Sequence, residues 1–170
     1  MSVLSYERNF LVSKEIELSF VIPVYNGSES IAELVRNIKE LTDNLAAEVI
    51  LVNDGSDDAS EETCNELAEE LPDFVHFVHL ARNFGEHNAV LAGLHETSGQ
   101  YVAVLDDDGQ NPPEEVLRMY DEIKRSGQDV VYGRYTSKRH SWFRNLGRWF
   151  TDRMDNIMLK KPKTLYLSSF

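Results

Sequence analysis

Three consecutive carboxylates, Asp106, Asp107 and Asp108, stand where a short apolar run over residues 101–105 ends. Adjacent anions repel one another and raise the free energy of the loop unless a cation sits among them. Hard oxygen donors in that setting suit Mg²⁺ or Mn²⁺, which bridge a carboxylate to substrate phosphates. The competing account is a solvated acidic loop, the ordinary fate of a charge run. Further residues have related chemistry. Asp54, in Asp54-Gly55-Ser56, could accept hydrogen bonds from the N–H of a base or from a ribose hydroxyl, and the same tripeptide also suits a turn or helix cap. Tyr25 offers a flat face for a base, and Gly85 precedes a helix start whose N–H groups suit an anion.

These residues act together only if the elements before them bring them to one place. Residues 18–24 (LSFVIPV) and 48–53 (EVILVN) are near-continuous apolar runs, as expected of parallel strands covered on both faces. Residues 74–80 and 101–105 read as a third and fourth strand, and residues 129–132 as a fifth. Helical spacing joins them. Ile31, Leu34, Val35, Ile38 and Leu41 make one stripe, residues 57–71 an acidic helix, and Val90, Leu91 and Leu94 the apolar face of a helix over residues 86–97. Pro112-Pro113-Glu114 opens the next helix and Gly127 closes it. Strand–helix alternation with short connections predicts an α/β fold: a mostly parallel sheet with helices on both faces. The loops at residues 23–27, 53–56, 82–85 and 106–113 then share the carboxyl edge of the sheet, where ligands bind in open α/β folds.

The 170 residues suit one domain with a substantial core. A formal charge of −12 argues against a general nucleic-acid binder. The charge is unevenly spread. Residues 1–133 hold 27 acidic and 8 basic side chains, a net of −19, whereas residues 134–170 hold 2 and 9, a net of +7, with both tryptophans. Residues 1–14 are expected to be loosely ordered, residues 15–135 to form the nucleotide- and metal-binding core, and residues 136–170 to begin a further, incomplete part. Residues 1–18 are interspersed with Glu, Lys and Arg, so no secretory signal is read there, and no apolar run approaches a transmembrane length. Cys64, the single cysteine, is expected to be half-buried and inert in a reducing compartment. His76 and His79 fall on opposite faces of a strand and are poor partners for one metal.

FVIPVYN (residues 20–26), VILVNDGS (49–56), RNFGEHNAVLAG (82–93) and VLDDDGQNPPE (104–114) together resemble the successive motifs of glycosyltransferase family 2. More narrowly they resemble its polyisoprenyl-phosphate branch, over residues 18–170 in register. The resemblance implies a nucleotide-sugar-binding fold of the GT-A type with a divalent cation, Mg²⁺ or Mn²⁺, on the donor diphosphate. It implies transfer of a sugar from a nucleotide diphosphate sugar to a polyisoprenyl phosphate, with inversion at the anomeric carbon. Pro23, Tyr25 and Asn26 would line the nucleoside pocket, Asp54 would hold the base or ribose, and Asp106 and Asp108 would bind the metal and serve catalysis. Asp107 would contribute to donor binding from the variable middle of the motif, Gln110 would approach the metal, and Arg134 would face the phosphates. Gly27 departs from the branch, which usually carries Glu there, so one nucleotide contact is lost or falls to Glu29. The branch also continues past residue 170 into an Arg-containing segment and membrane helices, so a fragment is expected. A catalytically incomplete donor-binding fragment and a family member with a saccharide acceptor stay open. A nucleotidyltransferase is disfavoured, since VYNGSES (residues 24–30) has one Gly and no Lys or Arg.

Residues 140–159 (HSWFRNLGRWFTDRMDNIML) place Trp142, Phe143, Leu146, Trp149, Phe150 and Met154 at helical spacing among Arg144, Arg148 and Arg153. Two readings stand: a helix packed on a core with a cationic outer face, or an interfacial helix at an anionic lipid surface. Under the second, the longer protein works on the cytoplasmic face of the cell membrane, and this fragment alone is soluble. The expected partners are the sugar donor, the lipid phosphate, a membrane surface and further copies of the chain, but not nucleic acid.

Overall fold

The computed structural model describes residues 15–109 and 111–133. Its elements alternate as β1 (Leu18–Val24), α1 (Ile31–Leu41), β2 (Ala47–Asn53), α2 (Ser60–Glu70), β3 (Val75–His79), α3 (Glu86–Glu96), β4 (Tyr101–Val104) and α4 (Pro113–Ser126). The four strands form one sheet in the order β3-β2-β1-β4, every pair parallel. The α/β expectation is met, and β1 is central because it is apolar at every position but Ser19 and Pro23. All of β1 and β2 is buried.

Alternation along the strands divides the core in two. Leu18, Phe20, Ile22 and Val24 of β1 meet Val49 and Leu51 of β2 under α1, α2 and α4, which contribute Ile31, Leu34, Val35 and Ile38, then Cys64 and Leu67, then Val116 and Tyr120. On the other face Val21, Ile50 and Val52 pack against α3 through Ala89. Helices therefore cover both faces. The α3 stripe expected at Val90, Leu91 and Leu94 is not the buried one, because Leu91 is 54% and Leu94 40% exposed. The helix instead turns its small residues, Ala89 and Gly93, to the sheet. A Cβ on Gly93 would come within 2.5 Å of Val21 Cγ1, so close approach, and not apolar bulk, seats α3. Its cover stops short of β4, where Val102 and Val104 stay exposed.

Residues 129–132 form no strand, a second correction. Val130 and Tyr132 are exposed, and β-branched apolar residues make a strand only where a neighbour accepts their backbone bonds. The acidic helix also starts later than expected, at Ser60 and not at residue 57. Ser28, Glu29 and Ser30 belong to a turn in which Gly27 O accepts the N–H of Ser30 and Ile31. The described elements lie within residues 1–132, the first of two units into which the chain divides.

Candidate functional site

The carboxyl ends of β1, β2 and β4 meet in a web of loop hydrogen bonds. Because Val21 O accepts the Leu105 N–H, the odd-numbered residues of β1 turn their backbone groups toward β4. Pro23 has no N–H to continue that ladder, and pairing with β4 ends at Val21↔Val104. Released there, the chain turns into the acidic loop. Asp107 then returns to β1, its Oδ2 accepting the Tyr25 N–H at 3.0 Å and its carbonyl accepting Ser30 Oγ at 2.6 Å.

The first loop is tied to the second as firmly. Asn26 adopts a left-handed conformation, φ 56°. Its N–H donates to Ser56 Oγ at 3.0 Å, and its Oδ1 accepts the Asp57 N–H at 2.9 Å. The next two amides also point across: Gly27 N to Ser60 Oγ at 2.9 Å and Ser28 N to Asp58 Oδ2 at 3.2 Å. Beneath them the buried Asn53 holds Ser56 through its Oδ1 and meets His79 Nδ1 with its Nδ2. Sequence reasoning missed Ser30, Asn53, Asp58 and Ser60. Their signal was the density of short polar residues around Asp54-Gly55-Ser56, which also suits an ordinary turn.

Asp54 is 2% exposed, with its Oδ1 accepting the Phe84 N–H at 2.7 Å and its Oδ2 the Gly85 N–H at 2.9 Å. Gly85 also donates to Asn83 Oδ1. The anion at the start of α3 is thus the chain's own Asp54, and the carboxylate shapes the loop over residues 82–85. Beside it Arg82 lies over the Phe84 ring, 4.8 Å from its centroid. Tyr25 is 48% exposed, as a base-stacking role requires, whereas Pro23 is buried in the strand.

A cleft of ≈ 610 Å³ opens between the first loop and the start of α2. Asn26, Gly27, Ser28 and Ser30 line it together with four acidic residues, Glu29, Asp57, Asp58 and Asp108. Neighbouring acids affect one another's protonation. Burial pushes the Asp107 carboxyl up; the Tyr25 hydrogen bond opposes that, and the negative Asp108 and Asp106 reinforce it. Burial also raises Glu86, with the Asp106 charge acting in the same sense. For Asp58, desolvation is outweighed by hydrogen bonds from Ser60 and Ser28, which hold its carboxyl well below the usual range. A cleft so lined attracts cations and repels a bare diphosphate.

The three acids of the motif part company. Asp106 accepts from Asn111 Nδ2 at 2.8 Å, Asp107 turns to Tyr25 and Gly27, and Asp108 faces the cleft. Among the described residues, no group of three or more His, Cys, Asp or Glu side chains is arranged to enclose a metal ion. The donor set is nonetheless of the right kind. Mg²⁺ and Mn²⁺ commonly take one or two carboxylates, which Asp106 and Asp108 could supply, and complete their shell with water and substrate phosphate. Gln110, Arg134 and the Trp142–Trp149 segment lie outside the described residues.

His76 and His79 diverge as expected, to Glu48 and to Asn53 with Glu61. Cys64 is fully buried and not half-buried, and burial pushes its thiol up to about 12, with Asp107 and Asp58 adding to the effect. It is inert toward the cleft.

Comparison with known proteins agrees with this geometry. The family model "Glycosyl transferase family 2" matches residues 19–168. An undecaprenyl-phosphate 4-deoxy-4-formamido-L-arabinose transferase of Enterobacter sp. (strain 638) is 40% identical over 130 residues, covering 75% of this chain and 39% of the relative. The Serratia proteamaculans (strain 568) protein of the same name is 39% identical over 149 residues, 85% of this chain and 44% of its own. The chain therefore spans about two fifths of the length of these relatives. Among solved structures, the mannosyltransferase PcManGT from Pyrobaculum calidifontis, in complex with GDP-Man and Mn²⁺, superposes with a TM-score of 0.56 at 24% identity, over 70% of this chain and 34% of that one. S. aureus TarS (residues 1–349) does so at 0.55 and 22%, over 72% and 39%. These two likenesses establish the fold. With a matching model over most of its length and relatives near 40% identity, this chain belongs to glycosyl transferase family 2.

Proposed function

We propose that this chain carries the donor-binding half of a glycosyltransferase that moves a sugar from a nucleotide diphosphate sugar to a polyisoprenyl phosphate. The observation that supports it most is Asp106 and Asp108 after β4, beside an acidic cleft, in a chain about 40% identical to undecaprenyl-phosphate sugar transferases. Tyr25 would stack on the base, Asn26 would border the nucleoside, and Asp54 would act on it through the loop it shapes. Asp106 and Asp108, joined by Gln110, would hold Mg²⁺ or Mn²⁺. That ion, when bound, neutralises charge growing on the leaving diphosphate. Arg134 would face the same phosphates from the other side.

The chemistry asks little else of the chain. An oxygen of the acceptor phosphate attacks the anomeric carbon as the bond from that carbon to the donor diphosphate breaks, which inverts the centre. The acceptor is already anionic near neutral pH, so no general base is assigned. Labelled UDP-sugar and undecaprenyl phosphate, incubated with a version extended to the relatives' full length, test the proposal. Label in the lipid phase with release of UDP is expected; an extended version that leaves the lipid unlabelled would overturn it. Because the chain spans 39–44% of its relatives, a second reading has support: the isolated chain binds donor without turnover. It would then bind UDP yet leave the lipid unlabelled.

For location, among the described residues no helix is long and apolar enough to cross a membrane. We infer that the longer protein works on the cytoplasmic membrane face, with the Trp142–Trp149 segment at the interface. Anionic lipid would attract the +7 end and repel the −19 remainder, which orients as well as attaches. Flotation with anionic but not neutral vesicles at low salt is expected, and equal behaviour with both would contradict it.

A further inference from the structure

Gly27 is buried, and its backbone has no left-handed φ to require glycine. What it lacks is room. A Cβ there would lie 2.4 Å from Asp107 Oδ2 and 2.9 Å from its Cγ. A carboxylate at the end of a free side chain could swing aside, but this one is held. Its Oδ2 accepts the Tyr25 N–H, the next backbone donor on the β4 side of β1 after Pro23, where β4 has already turned away. A side-chain oxygen thus takes the place of the missing strand carbonyl. Ser30 Oγ fixes the main chain of the same residue.

We propose that Gly27 and Asp107 are a matched pair. The absence of a side chain at 27 admits the Asp107 carboxylate, which locks the nucleoside-side loop to the diphosphate-side loop. Asp107 is then a positioning residue, and only Asp106 and Asp108 of the three acids remain for a cation.

The proposal rests on the donor-site reading, and the test separates the two. The four members of a Gly27→Ala, Asp107→Ala cycle in the full chain are unfolded in urea without nucleotide, and their UDP affinities are measured with and without Mn²⁺. In urea, each single variant should lower the midpoint, and the double variant should lose much less beyond Asp107→Ala than Gly27→Ala loses alone, since the added methyl then meets only the Cβ of residue 107, at 3.3 Å, and no carboxylate. In binding, Asp107→Ala should weaken UDP about tenfold with Mn²⁺ and without it, leaving the ratio between the two conditions unchanged. Asp107→Asn, whose Oδ1 can still accept from Tyr25, should restore both stability and affinity. Additive urea effects would overturn the pairing, and so would an Asp107→Asn variant that folds but loses its response to Mn²⁺. Coupled urea effects in a chain that binds no UDP at all would leave the pair standing and remove the donor site.

Discussion

Two carboxylate loops flank the same central strand and are put to opposite uses. Asp54, after β2, is 2% exposed and gives both oxygens to backbone amides of the next loop. The three acids after β4 lie closer to solvent, on a loop that turns through Gly109 at φ 66°. In sequence each is an Asp-rich turn after an apolar strand. Burial and hydrogen bonding separate them: a carboxylate enclosed by N–H donors shapes backbone, and one facing an acidic cleft is placed where a cation would be attracted.

That contrast can be broken first at Asp54. Replacing it with Ala removes a buried charged acceptor and two part-buried hydrogen bonds, which should cost about 3 kcal/mol. Urea unfolding measures it, and a loss no larger than that of a surface substitution would erase the distinction. Glu48 extends the comparison to the opposite edge of the sheet. It is 3% exposed, and its carboxylate accepts Ser19 Oγ at 2.6 Å and the Ser98 N–H at 2.7 Å. Burial alone would raise its pKa, but those bonds and nearby His76 hold it below its ordinary 4.5. Its ionised form therefore adds stability above pH 4.5, and that stability fades as pH falls through the lowered folded value. Glu48→Gln should be less stable than the parent at pH 7, by about 2 kcal/mol, with the gap closing below pH 4.5. A gap that does not vary with pH would mean the charge is irrelevant there. The smallest effect concerns Cys64: buried and with its thiol raised to about 12, it should resist iodoacetamide at pH 8 until urea opens the domain. Rapid alkylation of the folded chain would show that the core beneath the cleft is open.

Much of this was legible in the residues. Periodicity located β1, β2 and the buried stripe of α1 because bulky apolar side chains sat where burial needed them. It misjudged α3, where the buried face is Ala89 and Gly93, since apolar bulk is the wrong signal when a helix must lie close to a sheet. Residues 129–132 have strand composition but lack a strand in the described structure. At the site, residue types gave the acidic loop and the loop that carries Asp54. They could not give the division of labour between Asp54 and Asp108, which depends on backbone amides contributed from residues 84 and 85. Nor could they give the partnership of Gly27 with Asp107, which is 80 residues away and visible only as a lack of space.

The central claim is that the loop after β4 holds a divalent cation on a nucleotide diphosphate, and titration calorimetry of UDP with and without Mn²⁺ tests it most directly. The account predicts tighter binding with Mn²⁺ in the parent chain. For Asp108→Ala it predicts at least a tenfold loss confined to the Mn²⁺ titration, about 1.4 kcal/mol, with folding stability changed by no more than about 0.5 kcal/mol. Equal affinity in both titrations, or an Asp108→Ala variant that still responds to Mn²⁺ as the parent does, would contradict it.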